Sequence, residues 1–96
     1  MEKLESLQKD HLQEPKMYKV VLLNDDVTTM DFVIEVLMHV FFHSFEKANE
    51  IMLKIHCEGS GVCGIYTQEI ALSKQKKVQN MAKEAQFPLQ SRVEEE

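Results

Sequence analysis

The residues best equipped for chemistry are Asn24, Asp25 and Asp26, an amide and two acids set between two apolar stretches. Such a run can serve as general acid and base, as metal ligands, as turn formers or as a seat for a cation. A hydrolytic pair needs two carboxyls facing each other across a cleft, whereas neighbours on one turn point in different directions. A calcium loop needs oxygen ligands at alternating positions around a central glycine, and none follows Asp26. Asx residues between a strand and a helix also satisfy local backbone groups. On their own residues, the turn and the cation site both remain open.

The histidines and cysteines raise a zinc reading. His39 and His43 are four apart, and Cys57, next to His56, lies six residues before Cys63, but no C-x-x-C occurs. His39 falls on a polar helix stripe with Asp31 and Glu35, so no metal is expected. Among the methionines, Met81 reads as core filler, the usual use of a flexible thioether. Met30 stands one turn into a helix and Met52 one turn before His56 on the same helix face, so both can line a pocket.

These residues need a scaffold, and 96 residues suffice for a single domain. Residues 1–16 are charged, poor in apolar side chains and closed by Pro15, which predicts a flexible extension. Residues 17–93 are expected to fold, with 94–96 as an acidic tail. Met17 to Leu23 is apolar and β-branched, the pattern of a strand covered on both faces or inside a small sheet. Thr28-Thr29-Met30-Asp31 reads as a capping box that opens a helix from about residue 29 to 41. Ser44 can cap a second helix, which buries Ala48, Ile51, Met52 and Ile55 at i, i+3, i+4 and i+7. Gly59-Ser60-Gly61 ends it, and Val62 to Tyr66 reads as a strand. Thr67 can cap a third helix from Gln68 to Ala85, with Ile70, Ala71, Val78, Met81, Ala82 and Ala85 on one side. Pro88 stops that helix, and Leu89 to Val93 alternates as a final edge strand. The order βααβαβ predicts an α+β domain, with helices packed on a small antiparallel sheet.

The formal net charge of −5 argues against a nucleic-acid binder, whose affinity rests on clustered Lys and Arg. No apolar run reaches the roughly 20 residues of a membrane span, and the first residues lack the basic and apolar regions of a signal peptide. With only two cysteines, reduced thiols in a cytoplasmic setting are expected.

The segment from Tyr18 through Leu22-Leu23-Asn24-Asp25-Asp26-Val27-Thr28-Thr29-Met30-Asp31-Phe32-Val33 closely resembles the signature of the ClpS family, adaptor proteins of the ATP-dependent Clp protease. Three further stretches agree in order and spacing: Ala48 through Ile51 to His56, Glu58 to Thr67, and Glu69-Ile70-Ala71 with Lys74. The resemblance spans about residues 17–89 and implies three helices with a three-stranded sheet. It implies an adaptor without catalysis or cofactor, which recognises substrates through a free amino-terminal Leu, Phe, Tyr or Trp, an N-degron, and delivers them to the amino-terminal domain of the AAA+ unfoldase ClpA. By position it assigns α-amino contacts to Asn24, Asp25 and His56. Asp26, Thr28, Met30, Val33, Met52 and Leu89 match the hydrophobic pocket or its rim, with Met30 a gate against β-branched side chains, and Glu69 and Lys74 match unfoldase contacts.

The chemistry suits those assignments. An α-amino group titrates near 7.7–8.0 and, when protonated, has three donors to satisfy. An aspartate supplies opposite charge, an asparagine amide oxygen accepts, and a neutral imidazole accepts on one nitrogen. An internal peptide offers one N–H and no charge, so it leaves such acceptors unpaired. Two positions depart from many relatives, which carry proline where Thr29 stands and histidine where Phe87 stands.

Overall fold

The computed structural model describes residues 15–96, so residues 1–14 of the expected extension lie outside the described residues. The element order is β1 (Met17–Leu23), α1 (Met30–His39), α2 (Phe45–Glu58), β2 (Ser60–Thr67), α3 (Gln68–Ala85) and β3 (Gln90–Glu95). This is the α+β arrangement expected, with sheet order β2-β1-β3 and both pairings antiparallel.

β1 is the central strand, which explains why its sequence is almost unbroken in apolar residues. Val20 and Leu22 are fully buried in the core, while Val21 is buried outside that cluster. Between Val20 and Val21 the register with β2 slips by one residue, since Gly64 and Val62 are the successive partners. The extra residue is Cys63, whose side chain enters the core. α3 packs against all three strands, α1 packs on α2, and α2 packs on β2.

Several boundaries differ from the sequence expectation. Thr29, not Thr28, is the N-cap of α1, its hydroxyl accepting from the Phe32 N–H at 3.1 Å. Thr28 is already committed to Asp25 in the preceding loop. Thr29 thereby anchors the helix start. α1 ends at His39 rather than residue 41 because the chain turns out through Phe42, held at a left-handed φ of 59°. The Lys74 ammonium closes that end, donating to the Val40 carbonyl at 2.7 Å and lying 4.4 Å from the Phe42 ring centre. A cation there is favoured by the helix dipole.

Ser44 caps α2 as predicted, accepting from the Lys47 N–H at 3.1 Å, and Gly59 ends it at φ 93°. Thr67 occupies the N-cap position of α3 but its side chain makes no capping bond. Ile70 and Ala85 are exposed, so the buried stripe of α3 is narrower than expected and centres on Ala71, Val78 and Ala82. β2 begins earlier than predicted because Ser60 and Gly61 pair with Leu23 and Leu22. β3 continues through Glu94 and Glu95, opposite Lys19 and Tyr18, with Lys19 3.9 Å from Glu94. No described helix is long and apolar enough to cross a membrane.

Candidate functional site

The chain leaves β1 at Leu23, and the next backbone N–H, that of Asn24, donates to the Gly59 carbonyl at 2.9 Å. This bond ties the loop between β1 and α1 to the end of α2. The loop then folds around Asp25. Its Oδ1 accepts from the backbone N–H groups of Val27 at 2.8 Å and Thr28 at 2.6 Å. Its Oδ2 accepts from the Thr28 hydroxyl at 2.7 Å. Burial by itself would raise the Asp25 pKa, but the bonds from Thr28 and Val27 outweigh it and hold the carboxyl below its ordinary value. Asp25 is therefore ionised at neutral pH, and most of its accepting capacity is turned inward on its own loop.

Asp26 differs. It is exposed, and among the described residues its carboxylate has no hydrogen bond or ion pair. Together with Asn24, Asp25, Thr28 and His56, it forms the polar rim of a cavity of about 270 Å³. The apolar wall comes from Met30 and Val33, one turn apart on α1, and from Met52 and Ile55 on α2. Val33, Met52 and Ile55 belong to the hydrophobic core, so the cavity is an opening into the core with a charged mouth. Its volume lies just below the roughly 300–1,000 Å³ of sites for drug-sized ligands. It suits a small occupant that is apolar at one end and cationic at the other.

The fold thus gathers every predicted rim and pocket residue but one. Leu89 does not line the cavity. The residue is buried within the core, because the alternation of the segment leading into β3 turns it inward while Gln90 faces out. Ile55 was missed as a cavity residue: its helical spacing marked it as core, and only its position between Met52 and His56 hinted at more. Glu69 and Lys74 lie away from the cavity. Glu69 is exposed in the first turn of α3, while Lys74 is half-buried against Val40, Phe42 and Tyr66, with burial first and Lys77 second lowering its pKa.

Among the described residues no three His, Cys, Asp or Glu side chains are placed to hold a metal. His43 Nε2 instead donates to the Cys63 carbonyl at 2.6 Å. Burial pushes the Cys63 thiol up to about 12, while Cys57 is exposed.

The family model described as ATP-dependent Clp protease adaptor protein ClpS matches residues 13–92. The chain belongs to the ClpS family. It is accordingly an adaptor of the Clp protease and not an enzyme. It is 68% identical over 96 residues to the ATP-dependent Clp protease adapter protein ClpS of Campylobacter jejuni strain RM1221, covering 100% of both chains. The ClpS of Wolinella succinogenes is 52% identical over 82 residues, 85% of this chain and 80% of that one. Among solved structures, Agrobacterium tumefaciens ClpS2 bound to L-phenylalaninamide superposes with a TM-score of 0.83 at 42% identity, covering 86% of this chain and all (100%) of that one.

Proposed function

We propose that this ClpS-family chain binds substrates by inserting an amino-terminal Leu, Phe, Tyr or Trp into the cavity and holding the free α-amino group at its rim. The observation that carries this reading is one cavity with an apolar floor beside a rim where Asp26 has no partner among the described residues. L-phenylalaninamide, the ligand of the Agrobacterium relative, is a free amine on a large apolar residue whose carboxyl is blocked as an amide, which is how a polypeptide begins.

The geometry supports a division of labour at the rim. Asp25 was expected at the amine, but its carboxylate already accepts three hydrogen bonds from Val27 and Thr28. In this reading Asp25 shapes the loop, Asp26 supplies the counter-charge, and Asn24 and His56 accept the remaining ammonium protons. Met30, exposed at the mouth, gates against β-branched side chains. Leu89 supports the floor from within the core. The bound substrate is then delivered to a ClpA-type unfoldase, with Glu69 and Lys74 on the surface that meets it. The setting is cytoplasmic, and neither nucleic acid nor membrane is a partner.

The test is binding of fluorescent peptides beginning with Leu or Phe, each compared with its acetylated form. Free amines bind at least tenfold more tightly, about 1.4 kcal/mol or more. Equal affinity of free and acetylated peptides overturns the reading.

A further inference from the structure

We infer that Gly61, on β2 and outside the lining of the cavity, sets the cavity's depth by leaving room behind Ile55. The inference rests on the proposal that the cavity seats a substrate's first side chain. Gly61 is buried and pairs with Leu22 of β1. A Cβ built on it would stand 2.8 Å from Ile55 Cγ1 and 3.7 Å from both Ile55 Cδ1 and the Ile51 carbonyl oxygen. Carbon atoms in contact settle at about 3.5–4.0 Å, so something must yield.

The choices are narrow. The Ile51 carbonyl belongs to the backbone of α2, and the Gly61 backbone is held in the sheet by β1. The side chain of Ile55 is what can move. It is buried from solvent, yet it lines the cavity beside Val33 and Met52, and the cavity is the open space next to it. Its branched Cβ permits few rotamers, so displacement from Gly61 turns it inward. The effect is steric, because Gly61 does not have the left-handed φ of Gly59. Gly61 is a positioning residue for selectivity, acting through Ile55.

The experiment measures affinities of wild type, Gly61→Ala, Ile55→Val and the double variant for otherwise identical peptides beginning with Leu, Phe or Trp, with thermal unfolding as a control. Gly61→Ala weakens Phe and Trp relative to Leu by about tenfold, the scale of discrimination one methylene supports in an apolar site. Ile55→Val shifts the ratio the other way, and the double variant falls between the two. A uniform loss for all peptides, or an unchanged aromatic-to-leucine ratio, overturns the inference. Where Gly61→Ala alone fails to fold, the double variant is compared with Ile55→Val. A lower aromatic-to-leucine ratio in the double supports the inference, and an equal ratio overturns it. If wild type binds acetylated and free peptides alike, the parent proposal falls and takes this one with it. If wild type discriminates and the variants keep its aromatic-to-leucine ratio, only this one falls.

Discussion

Replacing the two neighbouring aspartates separates what each one does. Asp25→Ala removes the acceptor of three hydrogen bonds from the loop. The exposed Val27 N–H regains water at little cost, but the half-buried Thr28 N–H and hydroxyl regain it only partly. The loss resembles that of a helix N-cap, about 1–2 kcal/mol. In a domain of this size that lowers the unfolding midpoint by roughly 5–15 °C. Asp26→Ala removes no bond within the described residues, so stability should stay within about 0.5 kcal/mol of wild type. Its cost appears in binding. A carboxylate about 4 Å from an ammonium is worth about 1 kcal/mol in bulk water and about 4 kcal/mol at the effective dielectric of a protein surface. The expected loss of affinity is therefore about tenfold or more for free-amine peptides, with no change for acetylated ones. Paired scanning calorimetry and fluorescence anisotropy read both quantities on the same samples. The reasoning is refuted if Asp25→Ala leaves the unfolding midpoint unchanged while abolishing binding, or if Asp26→Ala binds free peptides as wild type does.

Other outcomes follow from the same structure. Because the folded pKa of Asp25 is depressed below 3.8, its contribution to stability is complete above that value and is lost as pH falls through the folded pKa. The stability gap between wild type and Asp25→Asn should thus hold from neutral pH down to about 5 and close at lower pH, as followed by urea unfolding. Alkylation with iodoacetamide at neutral pH should modify Cys57 in the native protein and reach Cys63 only in denaturant, since the latter is buried with its pKa raised to about 12; equal labelling of both in the native state would contradict this. Lys74→Met should lower stability by about 1–2 kcal/mol by removing the donor to the Val40 carbonyl, and leave peptide affinity within about twofold. A stable variant with weakened peptide binding would contradict the assignment of Lys74 to the end of α1.

The sequence carried the fold well where one signal governed each element. Apolar continuity marked β1, the Ser44 cap and single buried face marked α2, and α3 runs over the residues its periodicity indicated. It misled where two claims fell on one residue. Thr28 looked like a helix cap, but Asp25 engages its N–H and hydroxyl, so the cap passes to Thr29. Gly61 looked like part of a helix stop, yet it pairs as a strand residue. Glu94 looked like tail, but opposite Lys19 it extends β3. The candidate site was legible mainly through resemblance, because Asn24-Asp25-Asp26 is an ordinary acidic turn on its own evidence. Which aspartate lacks a partner among the described residues depends on hydrogen bonds that no spacing reveals. Lys74 reads as a solvated lysine until the turn at Phe42 brings the end of α1 beneath it.

The bond from the Asn24 N–H to the Gly59 carbonyl joins the two sides of the cavity using main-chain atoms alone. No substitution other than proline at position 24 removes either group, so the distance between the loop and the end of α2 is insulated from drift in the lining. Under the proposed function, retention of the amine and choice of the side chain can then vary as separate quantities. Residues such as Met30 or Ile55 can be exchanged to retune what fits, while the frame that presents Asn24 and His56 keeps its span.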